Sequence, residues 1–164
     1  MWTAPYAGNG AARVLNWASY AVTAMAVGLL TRRPTVVVGS TPHLLAPVAA
    51  WLVARIRRVP FVLEVRDLWP ELPIAMGIIK NPLIQWYLRR LERNIYHSAA
   101  HIIGLSPGIC DGIAHTGVPR DRITMVPSGS DNDLFRPPIE PLDDPRFGAK
   151  DDLKLVFTGA HGLA

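Results

Sequence analysis

From residue 34 onward, short apolar runs alternate with longer stretches patterned for helix, and this alternation leaves the chain few folds. Val36, Val37 and Val38 lead into Gly39 and Ser40, a β-branched run that predicts a buried strand over residues 36–40. Between Pro42 and Pro60, the residues Leu44, Leu45, Val48, Leu52 and Ile56 share one helical face, so residues 42–58 read as a helix. Residues 61–65 form a second apolar run. Asn81-Pro82 then opens a helix to about Ser98, with asparagine as N-cap and proline at the first helical position. A third run covers residues 101–105. Ser106-Pro107 repeats the helix-opening signal for a helix ending near Gly117, and residues 123–126 form a fourth run. Strand–helix–strand repeats predict an α/β fold with a Rossmann-like parallel sheet and flanking helices. Continuous rather than alternating apolar strands predict a sheet covered on both faces. Such sheets bind ligands beyond the carboxyl ends of their strands. The polar residues there are Ser40 and Thr41, then Glu64, Arg66 and Asp67, then Ser106, then Ser128 and Gly129.

Composition excludes several classes. With 49% hydrophobic and 18% charged residues, the chain can bury a core and is not a disordered tract. Cys110 is the single cysteine, so no disulfide framework forms within the chain. His43, His97, His101, His115 and His161 show no metal-ligand spacing, and no metal is expected. The net charge of +4 admits nucleic acid, anionic lipid or a phosphorylated ligand. No helix-turn-helix, zinc-finger or aromatic-basic RNA motif is present, which argues against nucleic acid. Residues 14–30 carry no charge but fall short of the ~20 apolar residues that span a bilayer. Val14, Trp17, Val22, Met25 and Leu29 recur as on one face of a buried or surface-lying helix, while Ala18, Ala21, Ala24 and Ala26 allow close packing elsewhere on it.

Residues 137–152 break the rhythm. Pro137, Pro138, Pro141 and Pro145 stand among Glu140, Asp143 and Asp144, a linker composition. Residues 153–157 start a new strand outside the first sheet, and a loop bearing Gly159 and Gly162 follows. A glycine-bearing loop after a strand can approach phosphate closely, so these two glycines are candidate phosphate contacts.

The most specific segment is Glu64-Val65-Arg66-Asp67-Leu68-Trp69-Pro70-Glu71. Two carboxylates and an arginine stand at a strand end before a restricted Trp-Pro turn. Asp67 or Glu64 can accept a proton from a hydroxyl, and Arg66 can pair with phosphate. The other reading is an Arg–carboxylate pair that fixes the loop. Leu83, Ile84, Trp86, Tyr87, Leu88 and Leu91 mix with Arg89, Arg90 and Arg93 on the following helix. Such a helix either lies on an anionic membrane or faces the core with a solvated basic edge.

The segment 64–71 resembles the acceptor-domain signature of the family-four glycosyltransferases of the GT-B type, especially the bacterial group that builds cell-surface polysaccharides. Four further pieces match in order: residues 12–30 with 33–38, the helix 88–99 containing Leu91-Glu92-Arg93, the strand end 102–108, and the stretch 126–137 that leads to the linker. The resemblance implies two Rossmann-like domains facing across a cleft, the first binding acceptor and the second a nucleotide-sugar. It implies transfer with retention of anomeric configuration and no metal or other cofactor. The implied partners are a nucleotide-sugar donor and a glycan acceptor, often lipid-linked, with no nucleic acid. The implied location is cytoplasmic, with peripheral contact on the inner face of the cell membrane.

Mapped onto this chain, Asp67 and Glu64 become catalytic candidates. Arg66, Ser40, Thr41, Ser106, Ser128 and Gly129 become acceptor-binding candidates, and Gly159 and Gly162 donor-phosphate candidates. Residues 1–136 then form a partial acceptor domain, 137–152 an interdomain linker and 153–164 the opening of a donor domain. The sequence departs from the family pattern in three ways. Residue 1 already lies beyond the family's first strand and glycine-rich loop, Ser128 replaces an asparagine, and the donor-domain residues that hold diphosphate and ribose are missing. The expectation is a transferase fragment that is inactive alone. The alternative is a non-catalytic remnant serving as a membrane-surface or binding module.

Overall fold

The computed structural model describes residues 3–5, 10–41, 43–134 and 136. In chain order the elements are α1 (Ala11–Leu30), β1 (Val37–Ser40), α2 (Leu45–Arg57), β2 (Phe61–Val65), α3 (Glu71–Ala75), α4 (Pro82–Ser98), β3 (His101–Gly104), α5 (Pro107–His115) and β4 (Ile123–Met125), the last preceded by a 3-10 turn at Arg120–Arg122. The four strands pair in the order β1-β2-β3-β4, and every pairing is parallel. The expected Rossmann-like α/β sheet is therefore present. The helix-opening signals also act as read. The Asn81 side chain accepts from the amides of Leu83 (2.9 Å) and Ile84 (3.3 Å), and the Ser106 hydroxyl accepts from the amide of Ile109 (3.3 Å). Two details differ. α2 begins at Leu45 rather than at position 42, and the short α3 follows the Trp69-Pro70 turn, where the sequence reading assigned no element.

The sheet is covered on one face only among the described residues, contrary to the two-faced covering read from its apolar strands. Phe61, Leu63, Val65 and Ile102 point into the core with Tyr96, Ile95 and Ile113 from the helices. Val38 points the other way and is exposed, and Val62, Glu64 and Ile103 are half-buried. The topology explains this. Strands that neighbour in chain order, joined by right-handed crossovers, carry all their connecting helices on the same face. Gly39 lets α2 settle closely on β1, since a Cβ there would lie 2.9 Å from that of Ala50.

Helix α1 packs on α2 rather than on the sheet. Gly28 stands at this seam, where a Cβ would lie 3.1 Å from Val53. Of the five larger apolar residues grouped by spacing, Trp17, Met25 and Leu29 are half-buried, and Val14 and Val22 are exposed. Gly28, without a side chain, lets the two helix backbones approach there. A cleft of about 310 Å³ runs between α1, α2 and the outer edge of β1, lined by residues including Tyr20, Ala24, Val38 and Ala50. Within the described residues, no helix is long and apolar enough to cross a membrane.

The chain divides into two units, Met1–Ser128 and Gly129–Ala164. In the second, the Asp131 carboxylate accepts from the amides of Asp133 (3.0 Å) and Leu134 (3.2 Å), closing a local turn. The linker over 137–152, the strand expected at 153–157, and Gly159 and Gly162 lie outside the described residues.

Candidate functional site

Parallel pairing places the ends of β1 and β2 side by side, with Ser40 in register with Glu64. The Ser40 hydroxyl donates to Glu64 Oε2 at 2.5 Å, tying the two strand ends together. Thr41 extends this link. Its amide donates to the Glu64 carbonyl at 3.0 Å. Its hydroxyl is buried (3% exposed for the residue) and accepts from the amide of Arg66 at 2.8 Å and, more weakly, from that of Asp67 at 3.4 Å. The loop after β2 is thus held by its backbone. The side chains of Arg66 and Asp67 remain exposed.

This arrangement bears on the choice between a chemical and a structural Asp67. Among the described residues the ion pairs are Arg89–Glu71 and Arg120–Asp111, and neither involves Arg66 or Asp67. Thr41 anchors the backbone of this loop, and the motif's Arg–carboxylate pair lies at its far end, at Glu71. Behind the loop, Leu68 packs against Gly112 of α5, where a Cβ would come within 2.6 Å of a Leu68 methyl. Glu71, the last residue of the motif, receives a two-pronged hydrogen bond from Arg89 of α4, at 2.7 and 3.2 Å.

The other sequence candidates separate. Ser106 is at the carboxyl end of β3, and its hydroxyl caps α5. Ser128 follows β4 as an exposed residue of the first unit, while Gly129 belongs to the second unit. Within the first unit, then, the sheet topology gathers Ser40, Thr41, Glu64, Arg66 and Asp67 on adjoining strand ends. No group of three or more metal-ligating side chains occurs among the described residues.

The structure adds a cluster that the sequence reading left out. His43, two residues beyond Thr41, stacks on Trp17 of α1 with ring centres 4.8 Å apart. Trp69 of the motif meets Trp17 edge-on at 6.1 Å, Tyr20 meets His43 edge-on at 6.5 Å, and the Arg13 guanidinium lies 5.5 Å above the Trp17 ring. Burial, aided by the Arg13 charge, lowers the His43 pKa from its ordinary 6.5, so the ring is neutral at pH 7. Its buried Nδ1 has no hydrogen-bond partner. The cluster joins α1 to the motif loop. Its sequence signal was slight: Trp17 and Tyr20 are one helical turn apart, and both rings converge on a strand end only through the tertiary fold.

Replacing Thr41 with valine keeps the volume and removes the acceptor for the Arg66 amide. The expected result is a loss of about 1–3 kcal/mol of stability in urea unfolding, the cost of a buried unsatisfied donor. Unchanged stability would show that the loop has another anchor.

A four-stranded parallel sheet with flanking helices defines a Rossmann-like α/β domain. More particularly, the family model of the glycosyl transferase 4-like domain matches residues 2–129, and the chain belongs to that family. No curated protein matches the chain.

Proposed function

We propose that the chain forms the acceptor-binding side of a retaining glycosyltransferase, which moves a sugar from a nucleotide-sugar to a glycan acceptor carried on lipid diphosphate. The observation that carries this reading is the Thr41-anchored loop, which presents Asp67 and Arg66 free at the sheet edge. In the proposed reaction, the Asp67 carboxylate takes the proton of the acceptor hydroxyl as its oxygen bonds to the anomeric carbon from the same face that the donor phosphate leaves, which keeps the configuration. The bond from that carbon to the donor phosphate breaks, and the nucleotide diphosphate leaves with the electron pair. Arg66 binds a phosphate oxygen of the acceptor. Glu64, already accepting from Ser40, orients the two strand ends and is the second carboxylate of the site. The step needs no metal. The reading places the protein at the cytoplasmic face of a cell membrane, in the assembly of cell-surface polysaccharide.

Residues 137–152 serve in this proposal as an interdomain linker, and residues 153–164 as the opening of the donor domain, with Gly159 and Gly162 near the donor phosphates. Because this reading gives the nucleotide-sugar to a second domain, residues 1–164 assayed by themselves are expected to transfer no sugar. A chain extended by a donor domain is expected to transfer sugar to a lipid-linked acceptor, followed with a radiolabelled nucleotide-sugar. Transfer by the 164-residue chain itself would refute the division of labour between two domains.

A further inference from the structure

Helix α4 has an apolar face on each side. Its inner side carries Leu88, Glu92, Ile95 and Tyr96 against the core. On the opposite side, the helical spacing sets Leu83, Tyr87 and Arg90 in one row, with Trp86 beside them. A surface helix ordinarily turns polar residues outward. Here Leu83 is 76% exposed, Trp86 66% and Tyr87 59%, and Ile78 just ahead of the helix is also exposed. This exposed apolar group lies in the first two turns. Lys80 stands before it, and Arg90 and Arg93 stand about one and nearly two turns beyond it, all exposed. Arg89 is engaged by Glu71. Between residues 72 and 98 the only carboxylate is Glu92, which faces inward, so the charges that α4 itself turns outward are all basic.

We infer that this face of α4 docks on the surface of an anionic lipid bilayer. Aliphatic side chains enter the acyl boundary, tryptophan and tyrosine settle at headgroup depth, and lysine and arginine meet lipid phosphates. Charge decides against a second copy of the chain as occupant. A two-fold contact would set the basic rim of one copy, Lys80, Arg90 and Arg93, against the basic rim of the other. A nucleic-acid strand would satisfy the cations but leave Leu83 and Ile78 without apolar partners. The inference deepens the proposed use of a lipid-linked acceptor and rests on that reading for its purpose. Vesicle binding requires no sugar transfer, so the two fail independently.

The test is co-sedimentation of the whole chain with vesicles of phosphatidylcholine containing about one third phosphatidylglycerol, compared with phosphatidylcholine alone. The expected result is binding to the anionic vesicles that weakens with salt. The double variant Trp86→Ser, Tyr87→Ser is expected to lower vesicle affinity roughly tenfold or more. Arg90→Gln and Arg93→Gln are each expected to lower it about fivefold. All four positions are exposed, and circular dichroism checks that each variant folds. Absence of vesicle binding by the unaltered chain, or equal binding by the variants, overturns the inference. So does a dimer that Trp86→Ser dissociates, which would assign the face to a second copy. Retention of a single-stranded oligonucleotide in place of vesicles, lost in the arginine variants, would assign it to nucleic acid.

Discussion

Changing Asp67 to asparagine is expected to lower sugar transfer by the two-domain enzyme roughly 10²–10⁴-fold, the usual contribution of a positioned proton acceptor. The substitution keeps the shape of the side chain and removes its charge. The surrounding structure should tolerate it, because the loop is held by the amides of Arg66 and Asp67 on Thr41 and by Leu68 on α5, not by the Asp67 carboxylate. The loss should therefore fall mainly on kcat, with the unfolding midpoint unchanged. Glu64→Gln makes a useful companion, since its amide oxygen can still accept from Ser40. If Asp67 is the base, the two variants separate, with the larger loss at Asp67. An Asp67→Asn enzyme that is unstable yet turns over normally per folded molecule would return Asp67 to a structural role.

The strands and most helix starts were legible because each is signalled locally. Val36 to Ser40 and Phe61 to Val65 are short apolar runs, and Asn81-Pro82 and Ser106-Pro107 carry their capping chemistry within a few residues. The strand-end position of Glu64, Arg66 and Asp67 followed from the same reading. Pairwise tertiary matches could not be read this way. Glu71 and Arg89 were both visible in sequence, but only the turn formed by α3 brings them together. Apolar periodicity grouped Val14, Trp17, Val22, Met25 and Leu29 on one face of α1, yet Val14 and Val22 are exposed and Gly28 makes the close approach to α2. Periodicity tells which side of a helix is apolar, not which side meets a neighbour. The same limit applies to the sheet. Its apolar strands suggested two covered faces, and strand order, which periodicity does not encode, left one of them open. His43 lacked any pattern of its own, and Trp17 reaches it across more than twenty residues of chain.

Stability is expected to fall as pH rises from 5 to 8, and Glu92→Gln should remove most of that fall. Glu92 is buried in α4, 6% exposed. Burial raises its pKa from the ordinary 4.5 to about 7. The Tyr96 hydroxyl, which approaches it without a well-formed hydrogen bond, pulls the value down. The Glu71 charge pushes it up and the Arg89 charge pulls it down. Tyr96 is itself raised by burial and then by the Glu92 charge, so it stays neutral throughout. Below pH 4.5 the carboxyl is protonated in both folded and unfolded chains, and its contribution to stability is intact. Between pH 4.5 and about 7 the unfolded chain gives up the proton while the folded chain keeps it, so stability declines. Above about 7 the folded group ionises as well, and the loss levels at about 3 kcal/mol. His43, whose pKa is lowered, works in the other direction: its contribution is present above pH 6.5 and fades as pH falls. The decisive quantity is therefore the difference between the unaltered chain and Glu92→Gln, measured by urea unfolding at several pH values. Glutamine stays neutral at every pH, so the variant should match the parent near pH 4.5 and exceed it by about 2–3 kcal/mol at pH 8. A difference that does not change with pH would mean that Glu92 remains ionised inside the fold, held by the Arg89 charge more firmly than burial opposes it.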